Sequence, residues 1–297
     1  MDICLSGKRI LITGVGIKPV NFIFKDITTG KPSHTAVSVD GKEHKANIGA
    51  AIAFACAEAG AIVHMVARTE DKLRGVKRWI ERLNPGARVE YGAVDLNKTA
   101  AIQKLVGALH DDIPLYWVQS VGLGGGTVKV KNDNPYLPIE DISEDLVEAE
   151  LSVLKNTIRL LQALLPRFRN QEETRVCVVS SMSAIRSVIS GSIHMAAKGA
   201  IGRFANAATI ELAKEKIFIT DVRPGAVDTG MYDSTAVRKT LEKIATTYGY
   251  DWSKKAGGTR LMPPSAVGNI VAGILASEAH VTSVNLVARG QFPHEGS

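Results

Sequence analysis

Three polar side chains in the second half of the chain, Ser181, His194 and Lys198, have types that suit proton-transfer chemistry. Ser181 follows an apolar run that predicts a buried strand, and open α/β sheets bind ligands at the carboxyl ends of their strands. His194 and Lys198 are four residues apart in a stretch rich in small residues, so a helix places them on one face. A neutral imidazole has one donor and one acceptor nitrogen, so it can exchange a proton with a substrate. These residues are therefore candidates for an acid–base site.

The elements that must position them begin with a glycine turn after the apolar strand Arg9–Thr13. Residues 47–60 are rich in alanine and predict a helix that packs on a sheet, and the apolar residues after it predict the next strand. Strand, glycine turn, helix and strand form the unit that binds a dinucleotide pyrophosphate at a helix N-terminus. The residues expected to line this pyrophosphate site are Gly14, Gly16, Asn47, Ile48 and Gly49.

Residues 17–46 divide the glycine turn and are predicted to leave the fold and rejoin it. Residues 22–24 and 35–39 favour strands, and Asp40-Gly41 is a hairpin turn signal, so we expect a β-hairpin. The insertion is either a surface hairpin without a role in binding, or a lid or subunit contact that brings a basic side chain to the cofactor phosphates. The basic candidates are Lys18, Lys42, His44 and Lys45.

Composition and charge exclude several classes of protein. The chain has 297 residues, of which 45% are apolar, and we predict a single α/β domain over residues 1–297. Lys and Arg number 36 against 30 Asp and Glu, and the scattered charges argue against nucleic-acid binding. With no apolar run of membrane length and no signal segment after Met1, a cytoplasmic protein without membrane attachment is expected. Cys4, Cys56 and Cys177 lie far apart, which favours free thiols over a disulfide or a metal site.

Five motifs along the rest of the chain resemble those of the short-chain dehydrogenase/reductase family. They are, in order, Val94-Asp95-Leu96, Gln119-Ser120-Val121-Gly122, Val178-Val179-Ser180-Ser181, His194-Met195-Ala196-Ala197-Lys198 and Arg223-Pro224-Gly225-Ala226-Val227-Asp228-Thr229. The resemblance covers nearly the whole chain. It implies a Rossmann-type doubly wound parallel sheet of about seven strands with helices on both faces.

The resemblance also implies catalytic roles for Ser181, His194 and Lys198. The family uses Ser and Tyr at the spacing of Ser181 and His194, with Tyr as the acid/base and a Lys that holds the nicotinamide ribose. In this chain the Tyr is replaced by His194. The Asn that holds a proton-relay water in the family falls at Val153, so the relay is either altered or absent, or is partly supplied by Asn156 on the same helix face.

The type of cofactor is predicted from the residues that follow the second strand. An acidic side chain there would bind the ribose hydroxyls and repel a 2′-phosphate. The chain has Ala67 and then Arg68, whose guanidinium suits a phosphate, so NADP(H) is predicted rather than NAD. The alternative is a solvated Arg at the start of a helix. The resemblance adds as cofactor contacts Asp95, Leu96, Gly122, Lys198, Pro224, Gly225, Val227 and Thr229.

The leading functional hypothesis is an NADP-dependent oxidoreductase acting on a carbonyl, alcohol or imine of a small molecule. One alternative is an isomerase or lyase in which His194 moves a proton without net redox change, and another is a cofactor-binding protein without catalysis. Residues 231–262 are expected to cover the substrate. In similar proteins the helices of residues 143–169 and 194–214 pair across a two-fold axis, which predicts a homodimer or homotetramer.

Overall fold

Seven parallel strands form the main sheet of the computed structural model, which describes residues 3–26, 29–109, 112–122, 137–187, 191–239 and 261–288. The strands are β1 (Arg9–Thr13), β5 (Ile62–Ala67), β6 (Arg88–Ala93), β7 (Leu115–Gln119), β8 (Thr174–Val179), β9 (Ile217–Pro224) and β10 (Ser283–Leu286). Their order across the sheet is β10-β9-β8-β7-β1-β5-β6. Because the order reverses between β1 and β7, the carboxyl ends of these two strands form the crevice in which such sheets bind ligands.

Helices cover both faces of this sheet, and each face has its own apolar cluster. Ile10 and Ile12 of β1 belong to one cluster and Leu11 to the other, because successive side chains of a strand point to opposite faces. This arrangement confirms the predicted doubly wound α/β fold. The helices are α1 (Ile48–Glu58), α2 (Glu70–Leu83), α3 (Thr99–Gly107), α4 (Glu144–Arg169), α5 (Ser192–Leu212) and α6 (Pro264–Ala276). Within the described ranges, none of the helices has the length and apolar character needed to cross a membrane.

The insertion forms a small antiparallel sheet of its own. Its strands are β2 (Ile17–Pro19), β3 (Ala36–Val39) and β4 (Lys42–Ala46), in the order β2-β4-β3. A hairpin joins β3 and β4 through Asp40 (φ 49°) and Gly41 (φ 75°), the two positive φ values of a tight hairpin turn. The expectation of a strand at residues 22–24 was wrong. The strand that completes this sheet is β2, which follows the glycine turn directly. It pairs with β4 because the first and last residues of the insertion lie side by side.

The apolar spacing after β6 predicts an amphipathic helix from residue 97 to residue 110 with Asn97 as its cap, but the helix that forms is shorter. Helix α3 runs from Thr99 to Gly107, and the residue before it, Lys98, makes no side-chain capping bond. Asn97 is not the helix cap. Its backbone N–H and its side-chain amide both donate to the carboxylate of Asp95, at 3.1 and 3.0 Å, so it belongs to the turn that leaves β6.

Candidate active site

Asn47 closes the glycine turn across the insertion. Its backbone N–H donates to the carbonyl of Gly16 at 3.0 Å, and its side-chain Nδ2 donates to the carbonyl of Gly14 at 2.8 Å. Its Oδ1 accepts hydrogen bonds from the N–H groups of Gly16, at 3.0 Å, and of Ala50, at 2.8 Å. The turn and the N-terminus of α1 are therefore joined much as they would be without the insertion. The side chain of Asn47 makes three hydrogen bonds in this role, and its contact with a cofactor stays a prediction.

Packing within the protein requires glycine at two positions of this turn. Gly14 has φ 89°, and a Cβ added to it would lie 2.5 Å from the backbone of Ser120. A Cβ on Gly49 would lie 2.7 Å from the carbonyl oxygen of Gly14. At Gly16, by contrast, the nearest atom to an added Cβ is 3.6 Å away, so the missing side chain leaves room for a bound group. The N–H groups of Ile48 and Gly49 lie in the first turn of α1, where helices bind phosphates.

Arg68 lies beside the glycine turn. It is exposed and comes directly after β5. The N–H groups of Gly14 and Val15 donate to the carbonyl of Val66, near the end of the same strand, at 2.8 and 3.4 Å. The structure thus brings the predicted 2′-phosphate residue and the predicted pyrophosphate turn to one edge of the sheet.

The predicted adenine-side residues Asp95 and Leu96 lie in the turn after β6. Leu96 is half-buried and packs on the cluster that includes α4, and Asp95 orders Asn97. The side-chain oxygen of Asn97 in turn accepts a hydrogen bond from Nδ2 of Asn156 at 2.7 Å. Oδ1 of Asn156 and Oε1 of Gln119 are buried, and neither has a hydrogen-bond partner among the described residues. Buried acceptors of this kind call for a donor from bound water or a ligand.

Ser181 lies at the carboxyl end of β8, as the sequence predicts for it. Its Oγ accepts a hydrogen bond from the backbone N–H of Ser183 at 3.1 Å and lies 2.5 Å from the hydroxyl of that residue. The carbonyl of Pro224, at the end of β9, accepts a hydrogen bond from Ser181 Oγ at 3.5 Å. Two predicted site segments, the ends of β8 and β9, are thereby brought together.

The segment that follows β9 is held in place by backbone hydrogen bonds. The N–H of Gly225 donates to the carbonyl of Leu286 at 2.7 Å, and Val227 forms a parallel bridge with Met262. The N–H of Thr229 donates to the carbonyl of Val227 at 2.9 Å. The predicted contacts on the nicotinamide side therefore lie on ordered backbone. Of the predicted substrate cover, residues 240–260 lie outside the described ranges.

Lys198 is a buried cation at the centre of this region. Its Nζ donates to the carbonyl of Val179 at 3.4 Å and lies 3.9 Å from the position that a Cβ on Gly122 would occupy. Burial lowers the pKa of Lys198 below its ordinary value, while the nearby carboxylates of Glu150 and Asp221 oppose that change by favouring the charged form. Lys198 of α5 therefore reaches the exit of β7, next to the crevice.

His194 lies in the first turn of α5, and its partner is a residue that the sequence pattern does not single out. Its Nδ1 lies 2.8 Å from Oε1 of Glu150, which is buried in α4. Glu150 precedes Val153 by one helical turn, and Val153 is a buried apolar residue with no side chain for a relay. Polar groups thus lie one turn to either side of the predicted relay position, at Glu150 and Asn156. The sequence feature that could have identified Glu150 is a carboxylate on the buried face of a long amphipathic helix, where acidic residues are rare.

Lys45 does not approach a phosphate site, contrary to one of the possibilities for the insertion. Its side chain is fully buried, and its Nζ lies 2.6 Å from the carboxylate of Asp228 and 2.8 Å from that of Asp233. Phe24 of the insertion packs against the apolar cluster formed by Tyr232, Val237 and Leu261. The insertion is therefore fastened to the segment after β9. Whether Lys18, Lys42 or His44 contacts a cofactor remains a prediction.

Neither buried cysteine is a candidate nucleophile. The three cysteines are free thiols; Cys56 and Cys177 are buried and Cys4 is exposed. Burial raises the pKa of Cys177 to about 12 and also raises that of Cys56. Because the thiolate is the reactive form, both side chains are inert at neutral pH.

The chain is similar to known proteins in both sequence and structure. The family model described as short chain dehydrogenase matches residues 44–239. An uncharacterised oxidoreductase of Staphylococcus saprophyticus is 28% identical over 200 residues, which cover 66% of this chain and 81% of that protein. L-sorbose reductase from Gluconobacter frateurii, solved with NADPH and L-sorbose, has a TM-score of 0.69 at 20% identity and covers 99% of both chains. An NADPH-bound short chain oxidoreductase from Pseudomonas aeruginosa with an atypical catalytic centre has a TM-score of 0.68 at 16% identity, over 95% of this chain and 96% of that chain.

Proposed function

This chain belongs to the short-chain dehydrogenase family, and from that premise we propose that it is an NADP(H)-dependent oxidoreductase that interconverts a carbonyl and an alcohol, or reduces an imine, on a small molecule. The observation that carries the proposal is the position of Lys198. Its buried ammonium lies against the exit of β7 beside Gly122, at the sheet edge where the glycine turn also lies. A cation there suits the ribose of a nicotinamide nucleotide, which the family holds with this Lys.

The residues of the crevice fit a dinucleotide. Gly16 and Gly122 carry no side chain although neither is packed tightly, so the backbone is open to close approach at both places. The N–H groups of Ile48 and Gly49 would bind the pyrophosphate, and Arg68 would bind the 2′-phosphate. The remaining contacts, on the adenine and nicotinamide sides, would come from Asp95, Leu96, Lys198, Pro224, Gly225, Val227 and Thr229.

Bound NADPH would supply the hydride, and the chain's own side chains would supply orientation and the proton. Ser181 would orient the substrate oxygen by a hydrogen bond, since its hydroxyl lies at the strand end beside Pro224. His194 would exchange the proton with that oxygen. An imidazole is shorter than the phenol used by the family, so the substrate must lie deeper in the pocket or a water must bridge the gap.

The proposal is tested by following NADPH absorbance with a panel of ketoses, aldehydes, ketones and imines, and with matching alcohols in the reverse direction. Substrate-dependent oxidation of NADPH is expected, and His194→Phe should reduce it on the order of 10²- to 10⁴-fold, the usual contribution of general acid–base catalysis. NADPH affinity, measured by fluorescence titration, should stay within about twofold in the variant. Full activity in His194→Phe would contradict the role given to His194.

A second candidate function is an isomerase or lyase reaction, and the hydrogen bond between His194 and the buried Glu150 favours it. A His–carboxylate pair can move a proton without any hydride transfer. The same panel separates the two functions when the products are also analysed by mass spectrometry. Conversion of a substrate without a change in the NADPH concentration would identify the second function and overturn the first.

A further inference from the structure

We propose that Glu150 is the positioning residue of this active site, which orients His194 and sets which of its ring nitrogens carries the hydrogen. The inference rests on the proposed function, in which His194 is the acid/base. Its starting point is the contact of 2.8 Å between Nδ1 of His194 and Oε1 of Glu150, two residues on different helices. An ionised carboxylate can only accept hydrogen bonds, so Nδ1 donates and the neutral ring keeps its lone pair on Nε2.

The burial of Glu150 makes this contact more than a surface pair. The side chain of Glu150 has 2% of its area exposed, and that of His194 has 16%. A buried carboxylate is costly unless it is hydrogen-bonded and near a positive charge. Glu150 has both, because His194 lies within hydrogen-bond distance and Lys198 interacts with it electrostatically. The carboxylate therefore keeps its hydrogen bond to His194 and does not replace it with one to water. This bond holds the imidazole in one orientation.

One carboxylate thus serves both functional side chains of α5. Glu150 accepts a hydrogen bond from His194 and, through its charge, raises the pKa of Lys198 against the effect of burial. Asp221 also favours the charged form of Lys198, but it is hydrogen-bonded to Arg223 at 2.7 Å and to Ser180. Among the described residues, the hydrogen-bond partner of Glu150 is His194. Glu150 is therefore placed to act on the acid/base itself.

The proton step follows from this arrangement. In the reducing direction, the doubly protonated ring would give its Nε2 hydrogen to the substrate oxygen, and bound NADPH would supply the hydride to the substrate carbon. The ring is left neutral, with its hydrogen on Nδ1 and still bonded to Glu150. Glu150 keeps its charge throughout and stabilises the imidazolium before the transfer, as the carboxylate of a Ser-His-Asp triad does. In the oxidising direction the same atoms move in reverse.

Two substitutions test the role of Glu150. Glu150→Gln removes the charge and keeps the shape, but its amide can turn either an oxygen or an NH₂ group towards Nδ1, whereas Glu150→Leu removes both the acceptor and the charge. Glu148→Gln is the matched control, because Glu148 is exposed on the same helix. The readout is the ¹⁵N NMR spectrum of the imidazole, with the His194 signals assigned by their loss in His194→Phe.

In the unaltered protein and in Glu148→Gln, the neutral ring of His194 should carry its hydrogen on Nδ1. Glu150→Gln should weaken that preference, because its amide NH₂ group can donate to Nδ1 and favour the hydrogen on Nε2, as the Asp→Asn change does in a Ser-His-Asp triad. Glu150→Leu should also lose the tautomer preference, because Nδ1 then has no acceptor at this position. The kcat of both Glu150 variants should fall by up to about 10⁴-fold, the scale of a tautomer fault in such a triad.

A neutral His194 whose hydrogen is on Nε2 in the unaltered protein would overturn the proposal, whatever the variants do. So would an unchanged tautomer in both Glu150 variants. The NMR measurement needs no substrate, so it separates this inference from the proposed function. If no turnover is found but the tautomer follows Glu150, the proposed function fails and the positioning of His194 stands.

Discussion

The Nζ of Lys45 lies 2.6 Å from Oδ1 of Asp228, and both side chains are fully buried. Lys45 ends the insertion just before α1, and Asp228 lies between the predicted cofactor contacts Val227 and Thr229. The second carboxylate oxygen of Asp228 accepts a hydrogen bond from the hydroxyl of Ser33 at 2.7 Å. The pair therefore joins the insertion, just before α1, to the segment after β9. These are the places where the pyrophosphate and the nicotinamide are predicted to bind.

The first prediction concerns this pair. Lys45→Met should lower the free energy of unfolding by about 3–5 kcal/mol, because it leaves the carboxylates of Asp228 and Asp233 buried without their cation. It should also weaken NADPH binding, since Asp228 sets the position of the segment after β9. Lys42→Met is the control, as Lys42 is exposed on the same strand and should stay within about 0.5 kcal/mol. Denaturant unfolding measures the stability of both variants, and equal stability would refute the role of the Lys45–Asp228 pair.

The second prediction contrasts two glycines of one turn. Gly14→Ala should destabilise the protein, since a Cβ there meets the backbone of Ser120 and φ is 89°. Gly16→Ala should leave the melting temperature nearly unchanged, because the nearest atom is 3.6 Å away, but it should weaken NADPH binding at least tenfold. Thermal unfolding and fluorescence titration test the pair. If Gly16→Ala binds NADPH as tightly as the unaltered protein, the pyrophosphate does not bind next to Gly16.

The third prediction is cofactor choice. NADPH should bind more tightly than NADH by about 1–3 kcal/mol, the worth of a hydrogen bond to a charged group. Arg68→Ala should remove most of that difference. Arg82→Ala, which deletes an equal charge from the exposed end of α2, should leave it in place and so controls for net charge. Equal affinities for the two cofactors in the unaltered protein would rule out the assignment of Arg68.

The fourth prediction follows from the pKa of Lys198, which burial lowers from an ordinary value of 10.5. Between the lowered value and 10.5, the unfolded chain binds more protons at this residue than the folded chain does. Stability therefore rises with pH through that window, in which the buried lysine is neutral. The free energy of unfolding of the unaltered protein, minus that of Lys198→Met, should increase as pH rises towards 10.5. If this difference stays flat or falls, burial of the charged Lys198 side chain does not lower the free energy of unfolding.

The fifth prediction is assembly through α4 and α5. We propose a homodimer or homotetramer, because these helices expose large apolar side chains that include Leu151, 41% exposed, and Ile210, 77% exposed. Ile210→Glu should shift the assembly towards monomer in light scattering at micromolar concentration. Leu83→Glu, at an exposed position of α2, should not. A monomer in the unaltered protein would contradict the proposal.

Local sequence determined most of the framework. The strand Arg9–Thr13 has the bounds that its run of apolar residues predicts. Asp40 and Gly41 form the predicted hairpin turn, since few residue pairs accept two positive φ values. Ser181, His194 and Lys198 could be selected as candidates from their types, their spacing and a family resemblance. Their roles remain predictions.

Only the tertiary structure decided which side chains face one another. Glu150 and His194 are 44 residues apart, and Lys45 and Asp228 are 183 apart, yet each pair is in hydrogen-bond contact. A periodic pattern indicates that a position is buried, but it does not specify which residue of another element lies opposite. That choice depends on the crossing of α4 and α5 and on the register of the small sheet against the segment after β9. The partner of the candidate acid/base and the anchor of the insertion were therefore decided by packing.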